Sequence, residues 1–269
     1  MEKEIRGGPG PVTVIVAAHK PYWMPEDPMY LPVQVGAAGK IGEDGRPLDL
    51  GFRRDDSGEN ISEKNPYYCE LTGLYWAWKN LPKEAGAVGL AHYRRHFLRK
   101  GGRDRADILG EREAEAYLRQ ADALLPRPRN YWIETNYSQY AHAHHGIDLD
   151  ETRQILAEKY PEYLPVYDAY MRRTRGHRFN MFIMRRDLME AYCRWLFDIL
   201  LELEGRLDIS GYNSYDRRVF GFVAELLLDV WLEKNEVRTM DLPYLFLEKQ
   251  NWLKKGAAFL GRKIRGGKK

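Results

Sequence analysis

The chain has 269 residues, a formal net charge of +3, and 13% aromatic residues, with 18 Tyr and 7 Trp. Seven cations (Lys254, Lys255, Arg262, Lys263, Arg265, Lys268 and Lys269) lie between Asn251 and Lys269 with no acid among them, which leaves the preceding residues at −4. A mildly acidic body argues against a nucleic-acid partner, and two cysteines, Cys69 and Cys193, inside amphipathic patterns fit a reduced cytoplasmic protein better than a disulfide framework.

The opening "MEKEIRGGPGPV" has no apolar leader core, and no window approaches a membrane-spanning length, so neither a signal peptide nor a transmembrane helix is expected. "VTVIVAAHK" (12–20) reads as a buried first strand. An irregular Pro- and aromatic-rich stretch follows, with a short strand at Leu31 to Val35, and then a polar loop to residue 61. "SEKNPYYCELTGLYWAWKNL" (62–81) predicts one helix, with Ser62 as N-cap and Pro66 in the first turn. "AVGLA" (87–91) is a second buried strand, which makes a β–loop–α–β unit.

Further on, "EREAEAYLRQADALLP" (111–126) predicts a helix, and 129–150 an aromatic, histidine-bearing loop. A capped helix begins near Asp150, breaks at proline and resumes. "HRFNMFIMRRD" (177–187) predicts a strand with a polar tip. Two long amphipathic helices follow, then a last strand within 236–249. No internal repeat and no linker interrupts this order, so one domain is expected over 1–250, with a basic amphipathic or disordered tail at 251–269.

Candidate chemistry gathers at element ends. The strand at 87–91 runs into His92, Tyr93, Arg94, Arg95 and His96 without a carboxylate. Guanidinium groups there can neutralise a diphosphate bidentately without a metal. Lys64 and Asn65 sit at a helix start, where backbone N–H groups favour phosphate. Asp55, Asp56 and Glu59 offer hard oxygens, but Arg53 and Arg54 flank them and no calcium-loop spacing appears. His142, His144, His145 and Asp148 have zinc-ligand chemistry without zinc-site spacing, and better fit a polar pocket. His177 and Asn180 enter a strand, where Asn180 must find a hydrogen bond or a ligand. Asp208 lies in a loop and suits a general base. Glu225 shares a helix face with Arg218 among apolar residues, and is either paired with it or shifted in pKa. No nucleophile elbow, P-loop or dinucleotide fingerprint is present.

Six blocks carry a resemblance: "VIVAAHKPYWMPEDPMYLPVQVGAA", "DDSGENISEKNPYYCELTGLYWAWKN", "VGLAHYRRHF", "HHGIDLDETR", "HRFNMFIM" and "DISGYNSYDRRVFGFVAELLLDVWL". From about Val12 to about Leu247 the chain resembles a bacterial family of capsule, exopolysaccharide and O-antigen loci. That family was long catalogued as a domain of unknown function, and some members are galactofuranosyltransferases.

The resemblance implies an α/β, GT-A-like domain with a mixed, mostly parallel sheet flanked by helices and a helix-rich C-terminal half. It implies transfer of a sugar, such as galactofuranose from a UDP donor, to a lipid-linked glycan, without an Asp-x-Asp metal site and with no cofactor. His19, Lys20, Lys64, Asn65, His92, Arg94 and Arg95 are then expected at the donor diphosphate. His145, Asp148, His177, Asn180, Tyr212 and Arg218 are expected at the sugar or acceptor, with Asp208 first and Glu225 second as base. The tail's apolar residues and cations suit peripheral contact with the inner membrane face. A non-catalytic glycan-binding module and a zinc hydrolase are the alternatives.

Overall fold

The structure, a computed structural model, describes residues 10–248. The tail expected at 251–269, and most of the N-terminal stretch read for a leader, lie outside the described residues.

The β-branched opening run forms β1 (Val12–Ala18), which pairs in parallel with β2 (Tyr30–Gln34). β3 (Arg53–Arg54) extends that side, again in parallel. The chain then crosses through α1 (Asn65–Tyr68) and α2 (Leu71–Asn80) to β4 (Ala87–His92), which lies on the other side of β1 with His92 opposite Ala17. Sheet growth therefore changes direction between β1 and β4, and such a switch leaves a crevice at the strands' carboxyl ends.

β5 (Arg95–Phe97) folds back on β4. After α3 (Glu111–Leu118) comes β6 (Ala123–Pro126). β7 (Arg129–Asn130) and β8 (Arg175–Gly176) form a separate antiparallel ribbon around α4 (Asn136–Ala143), α5 (Gly146–Lys159) and α6 (Leu164–Met171). β9 (Phe182–Arg185) inserts antiparallel between β4 and β6. α7 (Arg186–Arg206) and α8 (Val219–Lys234) precede β10 (Thr239–Leu242) and β11 (Tyr244–Phe246).

The sheet order is β10-β6-β9-β4-β1-β2-β3, with β11 on β5. This is the expected mixed sheet, parallel along most of its path and flanked by helices. Residues of alternate strand positions feed two cores. Ile15, Val33, Val88 and Leu90 pack with Leu74, Leu196 and Leu227, while Val14, Val16 and Ala91 pack with Leu109, Ala114 and Leu118. Burial of both faces explains the unalternating apolar runs. Gly89 permits the close β4–β9 approach, since a Cβ there would stand 2.8 Å from both Ile183 Cγ1 and the Phe182 carbonyl.

Several expected elements differ. The helix expected over 62–81 breaks at Cys69, whose φ is +54°. Ser62 caps no helix; it is buried and its hydroxyl donates to Asp55. The helix expected over 111–126 ends at Leu118 and its last residues form β6, because a four-residue apolar run suits either state. The loop expected over 129–150 contains α4, fixed by a Thr135–Ser138 capping box, and α5 starts at Gly146. The strand expected from His177 begins only at Phe182, because Phe179 and Asn180 take left-handed φ values of +79° and +54°. No helix among the described residues is long and apolar enough to cross a membrane.

Candidate active site

The crevice predicted by the topology is open. Its first lobe, about 320 Å³, is bordered by Ala17 and His19 at the end of β1, Val35 after β2, and His92, Tyr93 and Arg94 at the end of β4. Asn65, Pro66, Cys69 and Glu70 close it from the α1–α2 corner. A second lobe of about 290 Å³ shares Cys69, Glu70, His92, Arg94 and Arg218 with the first. It reaches Arg95, Arg129, Arg178, His144 and the α8 residues Phe222 and Glu225.

The Cys69 break shapes this place. It turns the chain so that Glu70 opens α2 and faces the cleft, while α8 packs against the corner at Gly221. A Cβ on Gly221 would lie 3.3 Å from Cys69 Sγ. The Cys69 thiol is pushed up to about 12 by burial and then by Glu70, which makes it a neutral wall and not a nucleophile.

Asn180 braces the floor. Its amide donates to Glu70 Oε1 at 2.6 Å and to the Gly221 carbonyl at 3.0 Å. The His92 imidazole meets the Phe179 carbonyl at 2.5 Å, and its Nε2 lies 3.9 Å from Glu70 Oε1. Burial lowers the His92 pKa, so the ring is neutral at pH 7.

Positive charge exceeds negative in the second lobe, where five arginines meet two carboxylates, Glu70 and Glu225. Arg94 is paired at its edge with Glu248 at 3.1 Å, yet its Nε is buried with no partner among the described residues. The Arg95 guanidinium is stacked 4.2 Å from the Phe179 ring centroid and 4.9 Å from that of Phe246. Burial and Arg94 lower its pKa, the signature of a cation short of counter-charge. Arg178 is held by neutral groups, namely the Tyr131 and Tyr170 hydroxyls and Asn136 Oδ1. The Glu225 carboxyl is raised by burial and then by Glu70, against the pull of Arg178 and Arg95. A cleft with surplus guanidinium and one raised carboxyl can hold an oxyanion and accept a proton beside it.

A family model described as a domain of unknown function, DUF4422, matches residues 13–236. The chain belongs to the DUF4422 family. Its fold is similar to the apo structure of WbbM, a bifunctional glycosyltransferase, with a TM-score of 0.82 and 29% identity over 89% of this chain. The match covers 46% of that protein, so the chain spans less than half its length. No curated protein matches.

In this DUF4422 chain the cleft gathers His19, Asn65, His92, Arg94, Arg95, Arg218 and Glu225, with Asn180 beneath it. Asn65 is committed inward, its amide donating to the Cys69 carbonyl and Thr72 Oγ1. Arg218 makes no pair with Glu225; its Nε donates to Cys69 Sγ at 3.0 Å.

Other expected residues lie elsewhere. Lys64 is paired with Glu204 of α7 at 2.7 Å, away from the cleft. Lys20 is exposed over the Tyr22 and Tyr93 rings. Asp208 is exposed and lies outside both lobes, and hydrogen bonding from the Ser210 hydroxyl and then the Ser210 N–H lowers its pKa. His177 is bound by Asp229 and Asp241 in a different cavity.

The histidines weighed against zinc, and read as lining a polar pocket, go to different partners. His142 meets Glu134, while His144 and His145 meet Asp216. Asp148 is buried and accepts from Tyr140 and Tyr212 at 2.8 and 2.6 Å. His145 stacks on Tyr212, so these residues form a wall behind the cleft, and His144 and Tyr140 reach its surface. No group of three or more His, Cys, Asp or Glu among the described residues is arranged to hold a metal ion. Glu70, Arg129 and Arg178 were not singled out by the sequence. Glu70 looked like a helix-interior residue because neither Gly nor Pro marks the break beside it.

Proposed function

We propose that this chain is a glycosyltransferase that uses a nucleoside-diphosphate sugar, UDP-galactofuranose in the reading the family resemblance favours, and extends a lipid-linked glycan in surface polysaccharide synthesis. The observation that carries the proposal is the juxtaposition of Arg95, a half-buried guanidinium in no ion pair with a described residue, with Glu225 in one cleft at the sheet's switch point. The similarity to WbbM supports the same reaction class.

In this reading the donor nucleotide enters the lobe bordered by His19 and Tyr93, and its diphosphate lies toward Arg94, Arg95 and Arg218. These guanidinium groups stabilise the charge that develops on the departing diphosphate, the role a divalent cation plays in transferases with an Asp-x-Asp motif. An acceptor hydroxyl in the second lobe attacks the anomeric carbon as the bond to the diphosphate oxygen breaks. Glu225 takes the hydroxyl proton, and Glu70, fixed by Asn180, orients the sugar hydroxyls. Asp208, exposed and apart, is replaced by Glu225 as the proposed base.

The test is release of UDP from a panel of UDP-sugars in the presence of glycan acceptors, with wild-type protein and Glu225→Gln. Turnover that survives EDTA and disappears in the variant supports the reading. Oligosaccharide binding without any nucleotide affinity would replace it with the glycan-binding module.

A further inference from the structure

The ribbon of β7 and β8 stands apart from the main sheet, and the turn beyond β7 carries the most exposed large apolar side chain among those described. Trp132 is 80% exposed and Ile133, beside it, 57%. The exposure is built in. Trp132 takes a left-handed φ of +59°, a conformation that costs free energy for a residue with a Cβ. Its N–H is held by Asn130 Oδ1 at 2.9 Å, and the Ile133 N–H by the Tyr131 carbonyl at 2.6 Å. The turn's base is tied to the β8 side, Tyr131 N–H to the Thr174 carbonyl and Asn136 N–H to the Arg173 carbonyl. A hydrogen-bonded turn that holds Trp and Ile in water is explained by a partner that takes them out of it.

Charge around the turn says which partner. Arg175, opposite Asn130 at the turn end of the ribbon, and Arg127, two residues before β7, are exposed, and neither forms an ion pair with a described residue. Of the acids on neighbouring segments, Glu233 is paired with Arg173 and Asp168 with Arg153, while Glu134 is hydrogen-bonded to His142. Trp beside an aliphatic residue, flanked by uncompensated arginines, matches the boundary of an anionic bilayer, where indole sits at headgroup depth and guanidinium meets lipid phosphate. A glycan partner would use the indole face, whereas the paired indole and aliphatic side chain suit the acyl boundary of a bilayer.

We infer that the Trp132–Ile133 turn, with Arg127 and Arg175, docks this chain on an anionic lipid surface. Tyr131 and Arg129, immediately before the turn, line the cleft, so docking places the cleft mouth next to the membrane. The inference stands without the transferase reading, because its test measures binding and not turnover.

The experiment is co-sedimentation of the full chain with phosphatidylcholine vesicles, with and without phosphatidylglycerol. Wild type is expected to bind the phosphatidylglycerol vesicles, and Trp132→Ser with Ile133→Ser to lose roughly tenfold in affinity at unchanged thermal stability. Arg127→Glu with Arg175→Glu is expected to remove the preference for phosphatidylglycerol, and added salt to do the same in wild type. Equal vesicle binding by wild type and the apolar double variant would overturn the inference and place any lipid contact elsewhere, as in the basic tail. A Trp132→Ser variant that loses oligosaccharide binding, with no vesicle binding in wild type, would overturn it in favour of a sugar platform.

Discussion

His177 and Asp229 are joined twice: the His177 backbone N–H donates to Asp229 Oδ2 at 2.8 Å, and the imidazole Nδ1 is hydrogen-bonded to Asp229 Oδ1. The ring's other nitrogen lies 3.0 Å from Asp241 Oδ1. The clamp ties α8 to β10 and fixes the start of the 177–180 loop. That loop presents Arg178 and Phe179 to the cleft and Asn180 to Glu70. His177 therefore positions the floor of the site without touching it.

Burial alone lowers the His177 pKa; the bonds to Asp229 and Asp241 outweigh it and raise the group to about 9. A rise from the ordinary 6.5 corresponds to about 3 kcal/mol, which the 39% exposure of Asp241 reduces to about 2 kcal/mol. The folded-state pKa is the higher one, so the stabilisation is complete below pH 6.5 and is lost as pH rises through 9. His177→Gln is expected to unfold at lower urea than wild type at pH 6, with the two midpoints converging near pH 10, roughly one pH unit above the folded pKa. A gap that stays constant with pH would show that the ring acts by packing alone.

Glu225 yields the opposite sign for stability. Its carboxyl is raised by burial and by Glu70, so the ionised form is a strain on the fold at neutral pH. Glu225→Gln is expected to raise Tm at pH 7 while lowering kcat by roughly 10²- to 10⁴-fold. The kcat profile of wild type should fall on the acid side at a pH above the ordinary carboxylate range. Activity retained within a few-fold in the variant would move the base to Glu70.

Much of this arrangement was legible in the chain, and the misplaced charged side chains share one physical cause. β1 and β4 declared themselves because strands buried on both faces are uniformly apolar, and α7 and α8 because long amphipathic periods are unambiguous. The charge at the tip of β4 was visible too, and it does border the cleft. The side chains that were misplaced depended on partners distant in sequence. Lys64 looked like a phosphate ligand until Glu204, 140 residues on, claimed it. His177 looked like a sugar ligand, yet its partners lie 52 and 64 residues away. Glu70 acquired its place through Asn180, 110 residues away, and through a break at Cys69 that no local residue signals. Local pattern finds elements and their tips; the side chain that neutralises a charge is chosen by the packing.

Arg95 is the cation whose loss should be felt in the ligand more than in the fold, since its described contacts are two aromatic faces. Arg95→Ala is expected to weaken UDP binding by roughly 10- to 100-fold, the value of one charge-assisted contact of about 1.5–3 kcal/mol. Uridine, which lacks the phosphates, should bind both proteins alike. Arg95→Lys keeps the charge without the planar fork and should fall between them. Isothermal titration with both ligands decides the matter, and equal losses for UDP and uridine would mean that the arginine shapes the pocket instead of holding phosphate.

Asp55 tests the acidic loop that first suggested a metal. The carboxylate is fully buried and accepts four hydrogen bonds: Gly36 N–H at 2.8 Å, Ala37 N–H at 3.0 Å, Ser62 Oγ at 2.5 Å and Thr72 Oγ1 at 2.6 Å. These donors belong to the turn after β2, the turn before α1, and α2, so one side chain fastens the segments around the first lobe. Asp56 and Glu59 are occupied by Arg54 and Lys79 and point to no common centre. Asp55→Ala strands four buried donors and is expected to cost roughly 3–5 kcal/mol. Asp55→Asn, which retains one acceptor oxygen, should cost less. If the residue is such a latch, EDTA leaves the wild-type Tm unchanged and both variants melt early with or without it. A wild-type Tm that drops on chelation, toward that of Asp55→Ala, would instead make this carboxylate a cation ligand.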